Sequence, residues 1–177
     1  MLNGDEQEPQ AAPGPAIDRE SIMSHWEPVF RLLYRLTRDR HDTEDLTQET
    51  FVRALERSGT FQPGSSLRAW LMRIATNAFL DLCRRRKALR FTPLEQEPTQ
   101  HSVEPVARLQ DQELHEAVAS AVARLPETPR VVFLLRVQEE FSYAQIAQAL
   151  DMSEEAARWH MMQARKRLLA SLDGRLP

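Results

Sequence analysis

SLRAWLMRIATNAFLDLCRRRKALR, residues 66–90, decides the fold. Leu67, Trp70, Leu71, Ile74, Ala78 and Leu82 recur at the spacing of one face of an α-helix. Arg73, Asn77 and Arg84 fall on another face, and Arg85, Arg86, Lys87 and Arg90 follow, with Asp81 the one acid of the stretch. A helix that is apolar on one side and cationic on the other can dock on a core and still offer a polyanion a surface. Cations in a last turn also complement the helix macrodipole, so by itself the basic run is read equally well as a solvated helix end.

Working outward, SGTFQPGSS (58–66) is a loop by its Gly, Pro and Ser content. Before it, the spacing predicts a helix from an N-cap at Asp42 to about Arg57, burying Leu46, Thr50, Phe51, Ala54 and Leu55. Its other face carries Asp45, Glu49, Val52 and Glu56, with Gln48 beside them; this is either a solvated face or a docking strip for a basic partner. Upstream, Ile22, Trp26, Val29, Phe30, Leu33 and Leu36 predict a helix over 19–37, kinked at Pro28, and RDRHD (38–42) is a polar break. Residues 1–18 are expected to form a disordered tail.

Downstream, Thr92–Pro105 has three prolines, three glutamates and no period, and reads as a flexible linker. Fully extended, its residues reach about 45 Å at ~3.3 Å each. A helix is expected over Val106–Leu125, stopped by Pro126; another opens at Thr128 as N-cap with Pro129 at N1 and runs to about Gln138. Ser142 caps SYAQIAQAL, and Ser153 caps a last helix with Glu154 and Glu155 in its first turn. Strand patterns are absent. The expectation is an all-α protein of two small helical domains, 19–91 and 106–174, joined by the flexible linker 92–105.

The chain has 177 residues, 42% hydrophobic and 28% charged, ordinary for a soluble protein. No apolar run approaches the roughly 18–20 residues that span a bilayer, so no membrane insertion is expected. MLNGDEQEPQ at the start is acidic and polar, unlike a signal peptide. A single cysteine, Cys83, leaves no internal disulfide and fits a reducing, cytoplasmic compartment. Net charge is −3, yet it is segregated: acids crowd the tail, 42–56 and 92–116, and bases crowd 84–90 and 158–167. That pattern suits a chain touching both a polyanion and a basic partner. The five glycines form no phosphate-cradling loop, the five histidines lack ligand spacing, and no GxSxG or HExxH occurs. No catalytic residue, metal site or cofactor is expected, and the chain is not read as an enzyme.

Residues 142–171 have the layout of a helix-turn-helix, whose second helix offers Glu154, Glu155, Arg158, Trp159, Met162, Gln163 and Lys166. Arg and Gln read base edges, and Lys and Arg hold phosphates. His160 is expected to face DNA or solvent.

DTEDLTQETFVRAL, then GSSLRAWLMRIATNAFLDLCRRR, then LPETPRVVFLLRVQEEFSYAQIAQALDMSEEAARWHMMQARKRL resemble, in order, regions 2 and 4 of the extracytoplasmic-function (ECF) group of bacterial RNA polymerase sigma factors. No separate region 1.1 or region 3 is apparent, as in that group. The resemblance implies a promoter-specificity subunit that binds core RNA polymerase, recognises and melts promoter DNA and directs initiation. Asp45, Gln48 and Glu49 match the segment that docks on the clamp of the polymerase largest subunit. Phe61, Ser65, Ser66, Trp70, Arg73 and Asn77 match the part that melts and reads the minus-ten element, where a non-template base is extruded; Arg84, Arg85, Arg86 and Lys87 match its phosphate contacts. Trp70 is the obvious aromatic for stacking, but its place in the apolar stripe favours core over platform; Phe61 is ambiguous in the same way. Ser153, Glu154, Arg158, Trp159, His160, Gln163 and Lys166 fall on the minus-thirty-five helix, and region 4 is implied to contact the second-largest subunit. An anti-sigma factor is the implied regulatory partner.

Two departures stand out. Ala156, Ala157, Arg158, Trp159 and His160 replace the family's usual Thr, Val, base, Ser and Arg, so the habitual minus-thirty-five sequence does not transfer. Asp151 stands where the turn commonly has glycine, and aspartate tolerates the left-handed conformation. Two competing readings are a stand-alone dimeric helix-turn-helix regulator, which leaves the acidic face at 45–56 idle, and a helical adaptor binding proteins only, which gives Asn77 no role.

Overall fold

The computed structural model describes residues 17–62, 64–90 and 111–172. Among them the chain forms α1 (Arg19–Met23), α2 (Trp26–Thr37), α3 (Arg40–Glu56), α4 (Leu67–Arg90), α5 (Asp111–Ala123), α6 (Glu127–Val137), α7 (Tyr143–Leu150) and α8 (Glu154–Leu172), with a 3-10 turn at Ser58–Thr60 and no strand. Most of the expected tail, all of the expected linker and residues 106–110 of the expected Val106–Leu125 helix lie outside the described residues.

Helix α4 is the central element. Leu71, Met72, Ile74, Ala75, Thr76, Ala78 and Phe79 are all buried. At ~100° per residue these positions cover more than half the helix circumference, well beyond a single amphipathic stripe. One side packs on α2 and α3, and another on α6 and α7. The buried Thr76 hydroxyl donates to the Met72 carbonyl at 2.8 Å and leaves no orphan polar group. Helix α3 uses the same device. Thr43, Thr47 and Thr50 are fully buried and donate to the carbonyls of Asp39, Thr43 and Leu46 at 2.5, 2.6 and 2.7 Å.

Three expected boundaries move. The helix expected over 19–37 is two helices, broken at Ser24–His25 rather than kinked at Pro28. A proline ring clashes with the carbonyl four residues back, here Ser24, whereas Pro28 itself sits in the first turn of α2, where its missing N–H has no partner to lose. Asp39, not Asp42, is the N-cap of α3: its backbone is extended and its carboxylate accepts the Asp42 amide at 2.8 Å. The polar break therefore shrinks to Arg38 and Asp39. Helix α6 starts at Glu127 behind Pro126, with no side-chain cap from Thr128. The Ser142 cap is present as a reciprocal capping box with Gln145, and Asp151 adopts the left-handed conformation, φ 52°.

The two halves pack on each other, α2 against α5 and α6 and α4 against α6 and α7, and the buried apolar residues of both form one continuous cluster. Cys83 is half-buried within it, and burial foremost raises its thiol pKa.

Moving the cap from Asp42 to Asp39 has a measurable consequence. Asp39→Ala is expected to cost about 1 kcal/mol in urea denaturation, whereas Thr128→Ala stays within about 0.5 kcal/mol.

Candidate nucleic-acid interface

Helix α3 carries two chemistries along its length. Asp45 and Gln48 are exposed, and Asp45 pairs with His41 at 3.1 Å. Val52 extends this strip and is also exposed. Glu49 is half-buried and tied to Arg53, so it contributes less to the outward face than Asp45 and Gln48.

At its C-terminal end α3 turns cationic, with Arg53 and Arg57 one turn apart. They join the 58–66 loop, the start of α4 and part of α7 around a cavity of about 510 Å³. Gly64, at φ +88°, gives the loop its reversal. The Ser65 hydroxyl donates to the Gln62 carbonyl at 2.7 Å, and the Ser66 hydroxyl accepts the Ala69 amide at 3.2 Å. Both serines line the cavity while holding the loop to the helix start. Trp70 is half-buried and lines the cavity too, so its places in the apolar stripe and in the site are compatible. Phe61 packs edge-on against Trp70 at 5.6 Å between ring centroids.

Arg73 and Asn77 project into the same space. Arg57 and Arg73 are exposed and have no acidic partner among the described residues, whereas Arg53 is engaged by Glu49 and, at 3.9 Å, by Asp81. The Asn77 side-chain amide donates to the Ala149 carbonyl of α7 at 3.5 Å.

Of Arg84, Arg85, Arg86 and Lys87, only Arg85 lacks a partner among the described residues. Arg84 pairs with Asp81, and Arg86 donates to Asp42 at 2.6 Å. That hydrogen bond raises the Arg86 pKa further. Lys87 donates to Glu127 of α6 at 2.9 Å. Burial works to raise the Glu127 carboxyl, but Lys87 and the residue's own amide outweigh it and hold the pKa below the ordinary value.

In the helix-turn-helix, Ser153 spends its hydroxyl on the Ala156 amide at 3.1 Å. Glu154 pairs with Arg158 at 3.2 Å, and the Arg158 guanidinium lies over the Tyr143 ring, 4.6 Å from its centroid. Trp159, Met162 and Lys166 form the outward face of α8; Gln163 is half-buried. His160 departs from expectation. It is half-buried against Trp159, its Nδ1 is buried without a hydrogen-bond partner, and burial lowers its pKa. A half-buried imidazole with its Nδ1 enclosed offers DNA less than the exposed side chains beside it.

Sequence reasoning missed Arg53, Arg57, Gln145 and Gln148, all of which line the cavity. The i, i+4 spacing of Arg53 and Arg57 was the available signal, masked by the acids around it. Among the described residues no group of three or more His, Cys, Asp or Glu is placed to hold a metal ion, and no helix is long and apolar enough to cross a membrane.

Comparison with known proteins places these features in a family. Residues 22–89 match the Sigma-70 region 2 model and residues 115–168 the Sigma-70 region 4 model. The chain is 35% identical over 152 residues to the ECF RNA polymerase sigma factor SigE of Mycolicibacterium smegmatis, a match covering 84% of this chain and 59% of SigE. It is 32% identical over 145 residues to ECF RNA polymerase sigma factor SigM of Mycobacterium tuberculosis, covering 81% of this chain and 71% of that one. Among solved structures, the fold is similar to the sigma factor RpoE of Bartonella quintana, crystallised with the anti-sigma factor NepR. The TM-score is 0.67 at 23% identity, over 88% of this chain and 96% of that chain.

The pairing pattern predicts unequal cationic contributions. For binding to single-stranded DNA, Arg57→Ala with Arg73→Ala should lower the slope of log K against log salt by about 1.4, some 0.7 per lost phosphate contact. Arg86→Ala, already committed to Asp42, should change it by less than about half of one contact. Titrations at several salt concentrations check both.

Proposed function

The chain belongs to the ECF group of bacterial RNA polymerase sigma factors, and from that membership we infer that it is a dissociable promoter-specificity subunit. It binds core RNA polymerase, recognises and melts promoter DNA and directs transcription initiation, with no catalytic chemistry of its own. The observation that carries this reading is the division of α3: an exposed strip of Asp45 and Gln48 on its N-terminal half, and an arginine-lined cavity beginning at its C-terminal end. A stand-alone helix-turn-helix regulator gives the strip no task.

In this reading residues 19–91 form region 2, 92–105 the connector and 106–174 region 4, behind a tail over 1–18. Asp45 and Gln48, with Glu49 behind them, meet the clamp of the largest subunit. The cavity takes the melted non-template strand of the minus-ten element. Trp70 is the available platform, and stacking on an aromatic contributes about 1–3 kcal/mol per base. That is comparable with the few kcal/mol that extruding a base costs. Arg73 and Asn77 stand beside that platform, and Arg84, Arg85, Arg86 and Lys87 lie along the strand's exit. Region 4 contacts the second-largest subunit and reads the minus-thirty-five element through the α8 face of Arg158, Trp159, Gln163 and Lys166, with Ser153 and Glu154 at its start. Because Trp159 and Met162 are exposed there, the promoter differs from the family's habitual one. An anti-sigma factor is the regulatory partner, and the place of action is the cytoplasm, with the polymerase.

Asp45→Arg with Gln48→Arg should weaken binding to bacterial core RNA polymerase at least tenfold, about 1.4 kcal/mol or more, since like charges facing each other across an interface are strongly unfavourable. Fluorescence anisotropy of the labelled full-length chain measures it. Unchanged binding by the folded variant would sink the reading.

A further inference from the structure

We propose that Trp159 and Met162 set the minus-thirty-five sequence of this chain by reading the C5-methyl groups of successive thymines in the major groove. The proposal rests on α8 being the minus-thirty-five helix, and deepens that reading by naming the base pair it selects.

Trp159 and Met162 are 53% and 55% exposed, whereas Ala157, Met161 and Ala164 on the opposite side of α8 are buried. Glu155 stands one turn before them and Lys166 one turn after, both exposed. A recognition helix meets base edges with its N-terminal residues, and Trp159 lies in the second turn of α8. The two positions are about 4.5 Å apart along the axis at ~1.5 Å per residue. That is close to the ~3.4 Å between successive bases of a strand. The Trp159 ring is also braced, meeting the His160 ring edge-on with centroids 4.9 Å apart. A side chain already held in place loses less freedom when its partner arrives.

What these side chains can recognise follows from the chemistry of the groove. Every base offers hydrogen-bonding atoms there, and thymine alone adds a methyl group. A thioether has no proton to donate, so Met162 has only that methyl to select. The indole of Trp159 is apolar over most of its surface, and its N–H suits the O4 acceptor beside the thymine methyl. The neighbouring polar groups favour the same base pair. Arg158, of the type that takes guanine, is drawn aside: it pairs with Glu154 at 3.2 Å and lies 4.6 Å from the Tyr143 ring centroid. Gln163, half-buried one turn beyond Trp159, is of the type that pairs with adenine, the partner of thymine. Arg165, Lys166 and Arg167 are exposed in the following turns. Such cations hold a duplex by its phosphates without choosing its sequence, so the choice falls to the apolar pair.

The test uses the full-length chain at low salt to select duplexes from a pool of randomised sequence. Adjacent thymine–adenine pairs should be enriched. Each thymine is then replaced singly by deoxyuridine, which removes the methyl group and keeps every hydrogen-bonding atom. Each replacement should weaken binding about fourfold, the equivalent of ~0.8 kcal/mol for one buried methyl group. In Trp159→Ala one of the two penalties should vanish, and in Met162→Ala the other. Far-UV circular dichroism confirms that both variants are folded. A selected site without thymine, or no enrichment at all, overturns the proposal. So does deoxyuridine bound as tightly as thymine, or a penalty that survives in both variants; the apolar face would then belong to a protein partner. The selection contains no polymerase, so its outcome is separate from that of the core-binding test on Asp45 and Gln48, which bears on the sigma reading alone.

Discussion

One half-buried cation ties the two halves together beside the apolar cluster they share. Arg130 reaches from α6 to the end of α2, where the chain turns left-handed at Arg38 and the last carbonyls of the helix have no helical partner. Its guanidinium satisfies one of them, at Leu36, and adds positive charge at the negative end of the α2 dipole. Phe79 lies within cation–π distance. Burial lowers the Arg130 pKa, and its Nε is left buried without a partner. Removing a guanidinium from water is costly unless its hydrogen bonds are replaced. This site replaces them only in part, so the contact specifies where the halves meet more than it adds to their affinity.

The order of the helices and the family were legible in the sequence because both reside in local patterns. The apolar spacing of α4, the cap at Ser142 and the left-handed turn at Asp151 each involve residues close together in the chain. What depended on distant residues was not legible. Helix α4 reads as a single stripe, yet Met72, Ala75 and Phe79 are buried as well, since a second layer of helices covers them. Thr43 and Thr47 look like surface residues until their hydroxyls are seen to bond within the helix, whereas the apolar spacing already places Thr50 inside. The break at Ser24 was readable in principle, because a proline acts on the carbonyl four residues before it rather than on its own position.

The candidate site divides in the same way. Trp70, Arg73 and Asn77 were identifiable from their places on one helix. Arg53 and Arg57 were hidden because the acids of α3 dominate its appearance, and only the loop that follows brings its last turn beside α4. His160 differs for a related reason: helical spacing places it near the exposed residues of α8, yet it is half-buried and meets the Trp159 ring edge-on.

The internal ion pairs of the basic run are compatible with a nucleic-acid role because most are weak. Arg84 and Asp81, and Lys87 and Glu127, have partly exposed partners, and pairs of this kind contribute about 0–1 kcal/mol. A DNA phosphate offers each cation a comparable contact and adds the release of condensed counterions. Exchange of the internal acid for a phosphate is therefore close to balanced pair by pair, and the counterions tip it. Arg68 and Glu139 differ, since Glu139 is nearly enclosed and has to be rehydrated before its arginine is released. Within one surface the exposed pairs exchange readily, and the enclosed one keeps its internal partner.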